Sequence, residues 1–227
     1  MMKLTTEQIT QIEETLILNS LVYQDIRLEL LDHIASEIEE RLRNEEISFD
    51  IVYKSVFEKW KSALEISSSY AWLGAFFKAP RFVIDKLVAY SKREALNIFF
   101  SVLVFGFLLA FIVSNTFQKE TFKAISLALQ GAYAILMICT SISMFLIWRS
   151  TIKTMYGRLF LFRGWLVFLF CFQFNIYNDP LKHFDASNSF FRNVVSCILL
   201  CSPFVYSFFQ LVMASKHFKI VKKLKLV

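Results

Sequence analysis

The sequence is poor in the residues that interrupt regular structure, with 5 glycines and 3 prolines among 227 residues. This excludes a collagen-like repeat and argues against a disordered chain rich in glycine or proline. Cysteine is also scarce, which excludes a disulfide-rich secreted scaffold. All four cysteines lie in apolar stretches and are predicted to be small buried hydrophobic residues rather than disulfides or zinc ligands: Cys139, Cys171, Cys197 and Cys201.

Familiar catalytic motifs are missing as well. The sequence has no HExxH, GxSxG, P-loop or GxGxxG pattern, each of which would place a metal ligand, a nucleophile or a phosphate-binding loop. Glu39-Glu40 is close to the EExxxR motif of membrane-embedded prenyl-type proteases, but the position of the motif's arginine is Asn44. The sequence therefore predicts neither an enzyme nor a cofactor or metal site.

Hydrophobic residues, in contrast, make up 56% of the chain, and 26 of them are phenylalanine. This exceeds the usual content of a soluble domain and is typical of a membrane protein. Charge divides the chain in two, since residues 1–65 carry 14 acidic and 7 basic side chains and residues 66–227 carry 5 and 18. We therefore expect an acidic polar domain followed by a basic apolar one, with the boundary near Ser67-Ser68-Ser69.

Three helices are predicted within residues 1–66. The first opens with a capping box, in which Thr5 caps the helix and Gln8 reaches back to it. The second covers about 23–43 and is amphipathic, with apolar residues at three- and four-residue spacing. The third begins at Ser48 as N-cap and carries a broad aromatic stripe that includes Trp60. The three helices are predicted to pack as a small bundle with Trp60 in its centre.

Part of this predicted bundle resembles the HAAS group, a set of small helical domains on bacterial membrane proteins linked to signalling. The resemblance lies in Glu29-Leu30-Leu31-Asp32-His33-Ile34, then Ile38-Glu39-Glu40, Ser48-Phe49 and Val56. This chain has Glu45-Glu46 where a glycine is common in the group. The resemblance implies a helical signalling domain, and it implies association with a PadR-type transcriptional regulator or with apolar C-terminal spans.

Polar residues on one side of the second predicted helix form the candidate partner-binding face: Glu29, Asp32, His33, Glu37 and Glu40. A cluster of one sign favours a basic partner. Glu29, His33 and Glu37 follow one another at four-residue spacing, and three alternatives stay open for this trio. The trio is a solvated face, or carboxylates raise the pKa of His33 and make a pH-sensitive contact, or it binds a divalent metal weakly.

The basic part is predicted to cross the membrane four times, at about 96–114, 124–148, 159–177 and 191–213, because each segment supplies enough apolar residues. Residues 67–95 are predicted to be an amphipathic linker in the membrane interface, or alternatively a linker helix packed on the bundle. Residues 215–227 form a basic tail. Lysine and arginine are concentrated before the first span, between the second and third, and after the fourth, which predicts both termini in the cytoplasm of a bacterium.

Two predicted spans carry polar or small residues on one face. These candidate intramembrane residues are Ser126, Gln130 and Tyr133 in the second span, and Asn193, Ser196, Ser207 and Gln210 in the fourth. Such side chains favour close helix packing, or else they line a hydrated path. The predicted spans contain no carboxylate, and Arg163 is close enough to the cytoplasmic edge to snorkel.

The sequence thus predicts an all-α protein of the bacterial inner membrane with a regulatory or interaction function. Its acidic domain would bind a cytoplasmic protein partner with a basic surface, while its spans contact the lipid bilayer. The alternative is a pore-forming or transport subunit with polar faces lining an assembly, and a homo-oligomer stays open. Nucleic-acid binding is not expected, because the soluble part is acidic.

Overall fold

A computed structural model describes residues 3–45, 47–74, 76–115, 119–174 and 189–225. Within these residues the chain is almost entirely helical, which confirms the predicted all-α class. The helices and strands in chain order are α1 Thr6–Leu18, α2 Gln24–Asn44, α3 Phe49–Leu64, β1 Ile66–Ser68, α4 Tyr70–Leu73, β2 Lys78–Pro80, α5 Arg81–Ser114, α6 Lys119–Arg149, α7 Met155–Arg163, α8 Leu166–Phe174 and α9 Phe190–Leu224.

The chain packs as two compact units. The first, here called the N-terminal unit, consists of Met1–Lys92, Thr151–Met155 and Ile220–Val227. The second, the span unit, consists of Arg93–Ser150 and Tyr156–Lys219. The N-terminal unit therefore includes more than the predicted domain 1–66, since it takes in the start of α5 and the connection that leads into α7.

Helices α1, α2 and α3 lie close to their predicted positions. The capping box is present, with the Thr5 side chain accepting from the Gln8 amide at 3.3 Å and the Gln8 side chain accepting from the Thr5 amide at 2.9 Å. Ser48 occupies the N-cap position of α3, but its side chain makes no capping hydrogen bond. The apolar stripes form the interior, where the most deeply buried side chains are Ile12, Leu16, Leu30, Ile34, Ile38 and Val56.

The prediction for Trp60 is wrong in its placement. Its side chain is only partly buried, and the indole Nε1 donates to Glu37 at 3.2 Å. The ring meets Phe82 edge-on, with centroids 6.2 Å apart. A polar N–H that needs a partner is better satisfied at the edge of a small bundle than in its centre, and the aliphatic residues of α2 fill the centre instead.

The predicted linker 67–95 contains most of a two-stranded hairpin and the start of α5. Strands β1 and β2 pair antiparallel, with Ile66 opposite Pro80 and Ser68 opposite Lys78, and α4 lies between them. Helix α5 starts directly after Pro80, as expected where proline removes an amide that the first helical turn leaves unpaired. The first turns of α5 bury Val83, Ile84 and Leu87 in the N-terminal unit. The location of residues 67–95 in the membrane interface stays a prediction.

Three helices among the described residues are long and apolar enough to cross a membrane: Arg81–Ser114, Lys123–Arg149 and Phe190–Leu224. They carry many large apolar side chains that are exposed among the described residues. This is the surface of a membrane protein, because the same surface in water would cost about 25 cal/mol per Å². Both α5 and α9 are longer than the predicted spans, since their charged ends continue the same helices.

The predicted third span, 159–177, is divided in the structure. Helix α7 has nine residues, which extend about 13 Å, less than half of a hydrocarbon core of about 30 Å, and α8 begins separately at Leu166. The break lies at Gly164, where a Cβ would approach the Phe160 carbonyl oxygen to 2.8 Å. Residues 175–177 lie outside the described residues.

Helix α9 accommodates Pro203 through its serines. Proline has no N–H to give to the Leu199 carbonyl one turn earlier. The Ser202 hydroxyl donates to that carbonyl at 2.9 Å, and the Ser207 hydroxyl donates to the Pro203 carbonyl at 2.7 Å. In lipid no water is available for this task, so the Ser202 hydroxyl supplies the donor that Pro203 lacks.

Helices α5 and α9 approach closely in the span unit. A Cβ at Gly106 would lie 2.9 Å from the Ile198 Cα, so only glycine fits there. Nearby, Ala110 packs with Val194 and Cys197. Cys197 and Cys201 are buried free thiols, as predicted, whereas Cys139 is exposed, so the prediction for Cys139 is wrong. The side chain of Cys171 lies outside the described residues.

Candidate functional site

The predicted partner-binding face on α2 is partly occupied by the chain's own cations. Glu29 forms an ion pair with Lys86 near the start of α5, and the His33 Nε2 lies 3.9 Å from the same carboxylate. The pair links α2 to the helix that continues along the chain into the first candidate span. Sequence periodicity could not reveal this pairing, because the two residues are 57 positions apart.

Glu37 is the most highly coordinated residue of that face. Its carboxylate accepts from Lys59 at 2.8 Å and from the Trp60 indole at 3.2 Å, and it lies 3.4 Å from Arg41. Burial alone would raise the pKa of Glu37, but the hydrogen bonds from Lys59 and Trp60 and the nearby positive charges outweigh it, so the pKa is lowered. Glu37 therefore joins α2 to α3 through its contacts with Lys59 and Trp60.

The remaining residues of the face point to solvent. Asp32, His33 and Glu40 are exposed, and Ser36 lies between them on the same side of α2. Three-, four- and seven-residue spacings place these side chains along one stripe. The free acidic surface is therefore narrower than predicted, with Asp32 and Glu40 as its carboxylates. Within the described part of the chain, no three His, Cys, Asp or Glu side chains are placed to hold a metal ion.

The start of α2 makes a contact that the sequence did not indicate. The Gln24 amide donates to the Lys153 carbonyl at 2.9 Å. One residue later, both carboxylate oxygens of Asp25 accept from the Met155 amide at 3.2 Å. Met155 is the first residue of α7, where amides lack partners within the helix and a negative charge is favoured. Asp25 thus caps α7 from a position 130 residues away.

Burial raises the pKa of Asp25, and the hydrogen bond from the Met155 amide opposes part of that effect. The carboxyl of the partly buried Asp25 is thus held by backbone amides. The arrangement fastens the N-terminal helices to the connection between α6 and α7. Together with the Glu29–Lys86 pair, it gives the N-terminal unit two polar junctions with segments that lead along the chain into the span unit.

The predicted intramembrane residues occupy different environments. Ser126, Tyr133, Asn193, Ser207 and Gln210 are buried, whereas Gln130 and Ser196 are partly buried. The Tyr133 hydroxyl donates to the Val167 carbonyl at 3.0 Å, and its ring meets Phe204 edge-on at 5.1 Å. Tyr133 therefore joins α6 to α8 and α9. The Gln210 amide has no hydrogen-bond partner among the described residues.

A buried ion pair in the span unit was not predicted. Arg163 does not extend alone to the interface but lies 3.1 Å from Glu94 of α5, with exposed side-chain fractions of 17% and 4%. The Tyr206 hydroxyl donates to the Arg163 carbonyl at 3.2 Å. The cluster links α5, α7 and α9. Its sequence signal is weak, because Glu94 lies only two residues before the predicted first span.

Comparison of the chain with known protein families, with curated proteins and with solved structures gives no match.

Proposed function

We propose that the chain is a regulatory membrane protein whose N-terminal unit binds a basic cytoplasmic partner through the exposed stripe of α2. The observation that supports this most is that some carboxylates of α2 are paired within the chain while others are exposed. Glu29 and Glu37 are neutralised internally, while Asp32 and Glu40 stay exposed on one stripe with His33. Exposed charges of one sign steer an oppositely charged partner and raise its association rate.

Binding would reach the span helices through Glu29. This carboxylate lies on α2 between the exposed stripe and Lys86, and it already interacts with His33 and Lys86. A cationic partner group on the stripe would compete with Lys86 for Glu29 and so weaken the junction between α2 and α5. A partner can shift this equilibrium only by its differential affinity for the two arrangements.

The proposed setting is a bacterial inner membrane crossed four times, with both termini in the cytoplasm. Helices α7 and α8 together would form the third crossing. Two observations support this orientation, namely the distribution of lysine and arginine and the packing of Thr151–Met155 and Ile220–Val227 with the N-terminal helices in one unit. Cysteines placed at Gln118 and Ser187, both outside the described residues, would react with an impermeant reagent from outside. Labelling from the cytoplasmic side alone would reverse the orientation.

The similarity to HAAS domains adds a candidate for the partner. A PadR-type regulator would carry the proposed interaction into transcription without this chain touching nucleic acid. This identification rests on the resemblance of residues 29–56, whereas the basic character of the partner rests on Asp32 and Glu40.

The test is cross-linking of the full chain in native membranes, with Asp32→Lys and Glu40→Lys combined. Both side chains are exposed, so the variant should fold and insert normally while losing the partner. The matched control combines Glu14→Lys with Glu65→Lys, which reverses the same amount of charge at exposed positions outside α2. Equal recovery of the partner by both variants would refute the proposed binding face.

One observation favours the alternative of a pore or transport subunit. Gln210 is fully buried in α9 and its amide has no partner among the described residues, as a residue that meets water or an ion in an assembly would be. Ion flux into proteoliposomes that is lost with Gln210→Leu would support this alternative. Absence of flux from the unmodified protein would leave the regulatory function.

A further inference from the structure

The segment between α3 and α5 forms a hairpin whose tip is aromatic. Its base is closed by the β1–β2 pairing and by the Arg81 amide, which donates to the Glu65 carbonyl at 2.8 Å. Residues 69–74 and 76–77 form the described part of the tip, which contains α4. Gly74 ends α4 with φ of 83°, a conformation that favours glycine. The hairpin is thus a defined structural element rather than an irregular linker.

Aromatic and apolar side chains of the tip divide into two sets. Leu73 and Phe77 are 1% and 3% exposed and hold the tip onto the N-terminal unit. Tyr70, Trp72 and Phe76 are 72%, 36% and 88% exposed. Phe76 has the largest exposed fraction of any large hydrophobic residue among the described residues. A tip that presents three aromatic rings to its surroundings is typical of a surface that binds a partner or a membrane.

The tip folds back along the first turns of α5 as far as Lys92. The Lys92 Nζ lies 5.8 Å from the centroid of the Trp72 ring. Lys92 follows the hairpin base at Arg81 by eleven residues, about 16 Å along a helix. It precedes Leu96, where the predicted first span begins, by four residues. The aromatic tip therefore lies beside the last helical turn before the apolar stretch begins.

We propose that this aromatic tip inserts into the headgroup layer of the membrane and favours anionic lipid. Tyrosine and tryptophan prefer this layer because their rings have an apolar body and a polar edge. Lys78, the first residue of β2, and Lys92, beside the Trp72 ring, are both exposed, and each basic residue near an anionic surface contributes about 1 kcal/mol of attraction. Lipid is the occupant that fits, because the Trp72 ring lies beside Lys92, four residues along the chain before Leu96 of the candidate span.

The test measures the depth of a spin label on the full chain in nanodiscs that hold one copy each and a mixture of phosphatidylglycerol and phosphatidylcholine. The label is attached through Phe76→Cys after the four native cysteines are replaced by alanine or serine. We expect the label to collide more with oxygen, which dissolves in lipid, than with a water-soluble nickel complex. No other protein is present in such a disc, so protection from nickel reports on lipid.

The matched control is a label introduced by Ile51→Cys. Ile51 is an exposed apolar residue in the first turn of α3. The contacts of Arg41 with Ser55 and of Glu37 with Lys59 show that α2 and α3 are antiparallel. Ile51 is therefore at the far end of α2 from Gln24, about 30 Å along the helix, and its label should be reached by nickel. Equal access of nickel to both labels would overturn the proposal.

Changing the lipid composition separates the contribution of the aromatic rings from that of the lysines. In nanodiscs of phosphatidylcholine alone, the label at position 76 should lie closer to water, because the attraction of the lysines is lost. Lys78→Gln with Lys92→Gln should have the same effect in the mixed nanodiscs. An unchanged depth in both experiments would overturn the preference for anionic lipid.

Discussion

The two units place polar and apolar side chains in opposite ways. In the N-terminal unit, Leu30 and Ile34 are buried and Asp32 is exposed, whereas in the span unit, Phe107 and Ile138 are exposed and Gln210 is buried. Water surrounds the first pattern and lipid suits the second, because hydrocarbon accepts apolar surface and offers no hydrogen bonds. Burial therefore identifies the core of a unit only when the solvent around that unit is known.

The largest effect should follow from breaking the buried ion pair of the span unit. Glu94→Gln leaves the Arg163 guanidinium in a poorly hydrated site, which typically costs about 3–5 kcal/mol. Thermal unfolding of the purified protein in detergent measures the loss. The control is Glu58→Gln, which breaks an exposed pair with Lys61 in the N-terminal unit and should cost less than about 1 kcal/mol. Equal effects would show that the two environments do not differ.

Truncating one buried and one exposed isoleucine compares the protein core with a surface that is expected to face lipid. Ile34→Ala removes a fully buried side chain from the N-terminal unit, and such truncations cost about 2–5 kcal/mol. Ile138→Ala removes an equally apolar side chain whose surroundings in α6 are lipid, so lipid chains fill the space and the loss should be much smaller. Unfolding in nanodiscs compares the two, and a similar loss for Ile138→Ala would mean that protein covers that face.

The contrast also explains what the sequence could predict. Amphipathic spacing in α1, α2 and α3 gave their positions, and the Thr5–Gln8 capping box gave the start of α1, because these signals act within a few residues. The face of α2 was predicted only in part. Lys86 and Lys59 pair with two of its five residues from 57 and 22 positions away, and local periodicity contains no information about such partners.

The limits of the span helices were harder to predict for a different reason. Hydropathy locates the apolar stretch of α5, but a helix does not end where its charges begin, so residues 81–95 continue it. The break at Gly164 was missed because apolar residues continue on both sides of it. Asp25 could not be assigned to α7 from sequence either, since a cap from a distant helix leaves no local pattern.

Two carboxylates of α2 should give opposite pH dependence. The pKa of Asp25 is raised on folding, so its contribution to stability is greatest below the unfolded value of about 3.9 and is lost as the pH rises through the folded pKa. The pKa of Glu37 is lowered, so its contribution is present above about 4.3 and is lost as the pH falls through the folded pKa.

Substituting each residue separates the pH dependence of stability that Asp25 contributes from that of Glu37. Asp25→Asn keeps an oxygen for the Met155 amide but removes the titration, so stability should decline less as the pH rises from the acidic range toward neutrality. Glu37→Gln should instead remove part of the loss on acidification. Denaturation of the full chain at a series of pH values measures both, with effects of about 1 kcal/mol or less for such partly solvated groups. Slopes of the same sign would contradict the assignment.

The smallest effect should come from the Glu29–Lys86 pair. Its side chains are 40% and 32% exposed, far more than those of Glu94 and Arg163, so solvent and salt screen the interaction. A double-mutant cycle of Glu29→Gln and Lys86→Met should give a coupling energy of about 0.2–1 kcal/mol. The comparison pair is Arg81–Asp85, which is more exposed and 3.9 Å apart, and its coupling should be close to zero.

A weak junction is what the proposed regulation requires. A partner that binds the stripe of α2 must offset the Glu29–Lys86 interaction. A single new charge pair does so if the coupling energy of Glu29 and Lys86 is about 0.2–1 kcal/mol. The coupling should therefore shrink further in 0.5 M salt, in parallel with the affinity of the partner. A coupling above about 2 kcal/mol, of the kind found for desolvated charges, would instead make the junction a permanent structural contact. Partner binding would then have to act on the span unit by another route, through Asp25 and the start of α7.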